Sequence, residues 1–88
     1  MTKTLSPKIG RREVRFWAIA GRRLKRERQA AGLSLKGFAE LLARTRQSII
    51  NMEAGRTRWS VYCALRCAEV LKVPLAQLLP GDVIKPQE

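Results

Sequence analysis

Two short amphipathic segments lie almost end to end in the middle of the chain, and their spacing restricts the fold more than any other feature. Ser34 precedes Leu35-Lys36-Gly37-Phe38-Ala39-Glu40-Leu41-Leu42, where Leu35, Phe38, Ala39 and Leu42 recur at i, i+3, i+4 and i+7. That is one face of a helix with a hydroxyl cap in front of it. Thr45 precedes a second such helix, Arg46–Glu53, whose inward residues are Ile49 and Met52 and which Ala54-Gly55 closes. About three residues separate the two. So short a turn between amphipathic helices forces them to cross at a steep angle.

Helical patterning continues on both sides. Arg11 to Ala30 holds no Pro and mostly good helix formers, and Gly32 suits the left-handed position after a helix end. Its apolar residues Val14, Trp17, Ala18, Gly21, Leu24 and Ala31 make roughly one stripe. Ser60 caps a fourth helix, Val61 to Leu71, with Val61, Ala64, Leu65, Ala68 and Leu71 as its apolar face. Pro74 opens a last short helix, Leu75 to Leu79, which Pro80-Gly81 stops. No internal repeat occurs, and nothing alternates with strand period for long. The expectation is an all-α, five-helix domain over residues 11–80, with a basic arm at 1–10 and a polar tail at 81–88.

Length and composition narrow the chemistry. Eighty-eight residues make one small domain, and 45% hydrophobic content is enough for a packed core. The chain has no His, which removes the commonest general base and metal ligand, and its two Cys cannot complete a tetrahedral zinc site. Neither an enzyme nor a cofactor or metal is expected. Cys63 and Cys67, four apart on the fourth helix, read as small apolar residues in or near the core, held as thiols in a reducing compartment. The apolar run Phe16–Ala20 is too short for a signal-peptide core and is followed by charges, so a cytoplasmic protein with no membrane partner is expected.

The net charge of +11 is unevenly placed. Residues 1–30 carry ten Lys/Arg and two acids, residues 31–58 five and two, and residues 59–88 three and three. A basic field of this kind draws polyanions, nucleic acid first among them.

The run Leu33-Ser34, Phe38-Ala39-Glu40-Leu41-Leu42, Thr45-Arg46-Gln47-Ser48-Ile49, Met52-Glu53-Ala54-Gly55-Arg56, Val61, Leu65, Ala68, Leu71, Val73, Leu75 and Leu78-Leu79 resembles the Cro/phage-repressor helix-turn-helix family over about residues 20–80. The physical logic agrees. Ala39 is small where the third helix crosses the second, and Ile49 inserts beneath. The third helix then shows Arg46, Gln47, Ile50 and Asn51 outward, the base-reading set that the resemblance implies. Arg matches guanine O6/N7, Gln and Asn match adenine N6/N7, and Ile can touch a thymine methyl. The resemblance places phosphate contacts at Ser34, Arg44, Thr45, Arg56, Thr57 and Arg58, and a structural ion pair between Arg28 and Glu53.

The chain also departs from the family. Leu35 stands where a phosphate-touching Gln is usual, Gly37 lies inside a helix, and Ala43 fills a turn position often taken by Gly. Trp59 replaces a frequent Pro; a staple over the fourth helix and a DNA-backbone or subunit contact are both open for it. The resemblance implies a transcription regulator, most simply a repressor, that binds a palindromic operator in double-stranded DNA as a homodimer. An 88-residue chain must dimerise through the helical domain itself, with Leu75, Leu78, Leu79 and the fourth helix as candidates. An antitoxin with a cognate toxin, a restriction–modification controller, and an RNA- or protein-binding adaptor share these features. For the N-terminal segment with Lys3, Lys8, Arg11, Arg12 and Arg15, an arm along DNA, an extended first helix and a swapped element are all open.

Overall fold

The structure, a computed structural model, describes residues 10–81. The expected arm and tail, apart from Gly10 and Gly81, lie outside the described residues. Four α-helices follow one another: α1 (Arg11–Ala30), α2 (Leu35–Leu42), α3 (Arg46–Glu53) and α4 (Val61–Leu71). Where a fifth helix is expected, the chain makes a 3-10 turn, Leu75–Gln77. Pro74 and Pro80 leave room for a single turn, which closes through i to i+3 bonds: the Gln77 N–H donates to the Pro74 carbonyl and that of Leu78 to Leu75, both at 2.9 Å.

The helix starts are set by hydroxyl caps. Ser34 Oγ accepts from the Gly37 N–H at 2.9 Å, Thr45 Oγ1 from Ser48 at 3.0 Å and Ser60 Oγ from Cys63 at 3.0 Å. A Cβ at Gly37 would lie 3.2 Å from the capping Ser34 Oγ, a contact that the caps at Ser48 and Cys63 accommodate, and nothing in the structure requires glycine there. Between α2 and α3 the chain reverses through Ala43 in the left-handed region (φ 57°, ψ 44°), where a Cβ costs about 1 kcal/mol. Two bonds hold that turn, Ala43 N–H to the Glu40 carbonyl and Arg44 N–H to that of Ala39.

The core lies where the four helices meet. It comprises Ala20 and Leu24 of α1, Phe38 and Ala39 of α2, Ile49 and Met52 of α3, Trp59, five residues of α4, and Leu78. Two expected faces differ from those observed. On α4 the inward residues are Cys63, Ala64, Cys67, Ala68 and Leu71, while Val61 is 76% and Leu65 51% exposed. Small side chains let α4 approach closely, so the helix turns its cysteines inward and its bulkier residues out. On α1, Ala20 is buried and Val14 is exposed, because the first turns of α1 extend past the core, and Ala31, exposed as well, lies just beyond the helix end. No helix among the described residues is long and apolar enough to cross a membrane.

Candidate nucleic-acid interface

The candidate surface is built on α3, and α3 is seated by α1. Gly21 of α1 meets the end of α3 backbone to backbone: a Cβ there would lie 2.5 Å from the Glu53 carbonyl oxygen and 2.6 Å from that of Met52. Two turns on, Arg28 Nε donates to Glu53 Oε2 at 2.6 Å and its NH2 group to Oε1 at 3.2 Å. Arg28 also donates to the Leu33 carbonyl at 2.8 Å. Both side chains of the pair are more than nine-tenths buried. The close approach and the bidentate pair together fix the tilt of α3.

Of the four residues expected at the bases, Arg46 and Gln47 are exposed in the first turn of α3, while Ile50 and Asn51 are half-buried. Ile50 borders a shallow hollow with Leu35 and Lys25, so packing accounts for part of its side chain. Asn51 Oδ1 accepts from Gln47 Nε2 at 3.3 Å and from Arg56 at 3.2 Å. These bonds orient both amides and carry one guanidinium from the following loop onto the same face. A groove of about 480 Å³ runs alongside, with Thr45 and Ser48 on one wall and Thr57, Arg58 and Trp59 on the other.

The expected phosphate contacts surround this face. Ser34 and Thr45 sit exposed at the N-termini of α2 and α3, each hydroxyl accepting its cap bond and keeping its own proton to donate. Arg44 is exposed in the turn, with its guanidinium on Ser48 Oγ at 3.2 Å. Arg56 and Arg58 are exposed and Thr57 half-buried. Arg58 is already engaged, since its Nε donates to Glu13 Oε2 at 2.6 Å. The Trp17 indole N–H, then Arg58, hold the Glu13 carboxyl below the usual carboxylate range.

Trp59 packs as a staple. It is 8% exposed, lies against Trp17 with ring centroids 5.6 Å apart, and its indole N–H finds no partner among the described residues. Cys63 and Cys67 are free and buried on α4. The Cys67 thiol one turn away holds Cys63 below the ordinary thiol range, with Arg44 adding to the effect. The Cys63 thiol in turn, together with burial, pushes Cys67 above that range.

The residues expected to meet a second subunit are placed differently. Leu78 is fully buried in the monomer's own core, and Leu75 and Leu79 are half-buried against it. Among the described residues the large apolar side chains left open are Val14 of α1, at 43%, and a group on α2 and α4: Leu41 at 50%, Val61, Tyr62 at 74% and Leu65. Arg66 joins its two parts by donating from α4 to the Leu41 carbonyl at 3.2 Å. The Glu13–Arg58 bridge also escapes sequence reasoning, because 45 residues separate its partners and no periodic signal links them.

No curated protein sequence matches the chain. Among solved structures it is similar to the restriction-modification controller protein C.AhdI from Aeromonas hydrophila, at 29% identity and TM-score 0.67, over 70% of this chain and 94% of that one. It is similar to the DNA-binding domain of BldD at 26% identity and TM-score 0.69, over 76% and 97% of the two chains. Similarity extends to SinR, the master regulator for biofilm formation, solved in complex with DNA, at 27% identity and TM-score 0.62 over 67% and 95%. The helix-turn-helix domain family matches residues 19–79. With α2, the left-handed turn and α3 arranged as described, the chain belongs to the helix-turn-helix domain family and has the Cro/phage-repressor-like fold of its DNA-binding transcription regulators.

Proposed function

We propose that this protein is a sequence-specific regulator, most simply a repressor, that binds a palindromic operator in duplex DNA as a homodimer. The observation that carries this reading is the outward face of α3, where exposed Arg46 and Gln47 stand beside Asn51 in a bonded array with Arg56. In the major groove Arg46 and Gln47 reach base edges, Asn51 lies one turn deeper, and the free part of Ile50 meets a thymine methyl. Ser34, Arg44, Thr45, Arg56, Thr57 and Arg58 take backbone phosphates on either side. Residues 11–80 form the binding domain, with an arm before and a tail after it. The solved complex of SinR with DNA supports this use of the fold.

Gln47→Ala is expected to lose about 1–3 kcal/mol at one base position and to blunt preference there. Binding-site profiles of the two proteins check this, and identical profiles remove Gln47 from the reading set. Titration of labelled duplex against structured RNA separates a DNA reader from an RNA adaptor, since a reader keeps sequence-dependent affinity for the duplex.

The second subunit docks on Leu41, Val61, Tyr62 and Leu65. Residues 59–88 carry balanced charge, so two copies approach through α4 without the repulsion that their basic N-terminal halves impose. Tyr62→Glu with Leu65→Glu is expected to leave a folded monomer whose affinity for a full operator falls about a hundredfold or more, because avidity is lost. Sedimentation that shows an unchanged dimer would move the interface elsewhere.

A second reading, a restriction–modification controller, draws on the likeness to C.AhdI, which spans 94% of that chain. It keeps the same site and mode of binding, and the genes flanking the coding sequence distinguish it.

A further inference from the structure

The family match begins at residue 19, yet α1 begins at Arg11, so two further turns of helix precede the stretch that the family model matches. These turns are fastened to the loop that follows α3. Ala18 packs so closely on Gly55 that a Cβ at Gly55 would lie 2.8 Å from the Ala18 Cα. Glu13 grips Arg58 through both carboxylate oxygens, at 2.6 and 3.4 Å. The Trp17 indole N–H donates to Glu13 at 3.1 Å, and its ring lies against Trp59 at the far end of that loop. Loop and helix start therefore move as one piece.

The same two turns bring Arg11, Arg12 and Arg15, all exposed and none of them paired with a carboxylate among the described residues. The like-charge pairs Arg11–Arg15 (i, i+4) and Arg12–Arg15 (i, i+3) cost the free helix stability, and a polyanion relieves that cost. We infer that the first turns of α1 are an additional DNA-backbone clamp: Arg11 and Arg15, two residues to either side of Glu13, project from the face of α1 turned away from the Arg56–Arg58 loop, and with Arg12 they take phosphates beyond those that the loop reaches. At 1.5 Å per residue, Arg11 lies about 10 Å along the helix from the Ala18 contact. One strand offers a phosphate every ~3.4 Å of duplex axis, so that reach passes about three of them. The partner is the phosphate backbone and not base edges, because Arg11, Arg12 and Arg15 lie on the flank of the domain and outside the array on α3.

This inference rests on the DNA-binding reading, and its test separates the two. Affinity for a fixed duplex is measured from low to physiological salt for three full-length proteins: wild type, Arg11→Gln/Arg12→Gln/Arg15→Gln, and Arg22→Gln/Arg26→Gln/Lys72→Gln. The last removes the same charge from exposed positions farther along α1 and just after α4. The first triple variant is expected to bind at least tenfold more weakly at low salt, with a log–log salt slope shallower by about 2 to 3 at ~0.9 per lost contact. Its base preference and far-ultraviolet circular dichroism should stay at wild-type values, and the control variant should keep the wild-type slope. Equal losses in both variants, or an unchanged slope in the first, overturn the clamp while leaving the regulator reading in place. Wild-type protein that binds no duplex overturns both.

Discussion

Arg28→Ala or Glu53→Gln is expected to destabilise the fold by about 3–5 kcal/mol, because each leaves a charge buried without its partner. A domain of this size is held by roughly 5–10 kcal/mol in total, so either change removes much of it. The cost arises from position. Both side chains are more than nine-tenths buried, the pair is bidentate, and Arg28 also satisfies the Leu33 carbonyl between α1 and α2. Arg58–Glu13 is equally short at 2.6 Å but exposed, and water screens it, so its loss should hardly move stability. Urea titration of each single variant gives the number. The double variant Arg28→Met/Glu53→Met should be more stable than either single one, since apolar side chains of similar volume replace the charges. Part of the loss should remain through the orphaned Leu33 carbonyl. Single variants within about 1 kcal/mol of wild type would mean that the pair does not hold α3.

Gly21→Val should cost about 3 kcal/mol, near the upper end for forcing atoms into a packed contact. The obstacles are the carbonyl oxygens of Met52 and Glu53, which belong to backbone and cannot swing away as a side-chain tip can. The gain in helix propensity from replacing Gly, about 1 kcal/mol at most, does not cover this. Gly37→Ala is the internal comparison: its Cβ meets a hydroxyl at 3.2 Å, and the change should stay within about 1 kcal/mol of neutral. Calorimetry that found Gly21→Val as stable as Gly37→Ala would show that α1 and α3 can move apart freely. Because α3 would tilt, Gly21→Val should also weaken operator binding by more than its stability loss explains.

What could be read in the sequence was what is local. Ser34, Thr45 and Ser60 marked helix starts because a hydroxyl three residues before an open N–H acts at short range, and each makes that bond. The ends at Gly32 and Gly55 were legible for a similar reason, since both take the positive φ that glycine tolerates. The face of α4 was legible in part: Cys63, Ala64, Cys67, Ala68 and Leu71 are buried as read, while Val61 and Leu65 are exposed. The stripe through Val61, Ala64, Leu65 and Ala68 and the stripe through Cys63, Ala64, Cys67 and Ala68 both have helical spacing. Only the closeness of the neighbouring helices selects the second. Leu78, read as an interface candidate, lies just after the 3-10 turn and is fully buried, because the chain leaves the helical path there and turns that side chain into the core. The bridge from Glu13 to Arg58 depends on how far α1 extends past the core, which no residue near Arg58 encodes.

The central claim is that the outward face of α3 reads bases, and selection of binding sites from random duplex DNA by the full chain tests it most directly. The account predicts an enriched palindrome whose half-sites lie about one helical turn apart, centre to centre, at roughly 34 Å. It also predicts that Arg46→Ala and Gln47→Ala each relax a different position within the half-site. Recovered duplexes with no shared sequence, or with a profile that neither substitution alters, would contradict it.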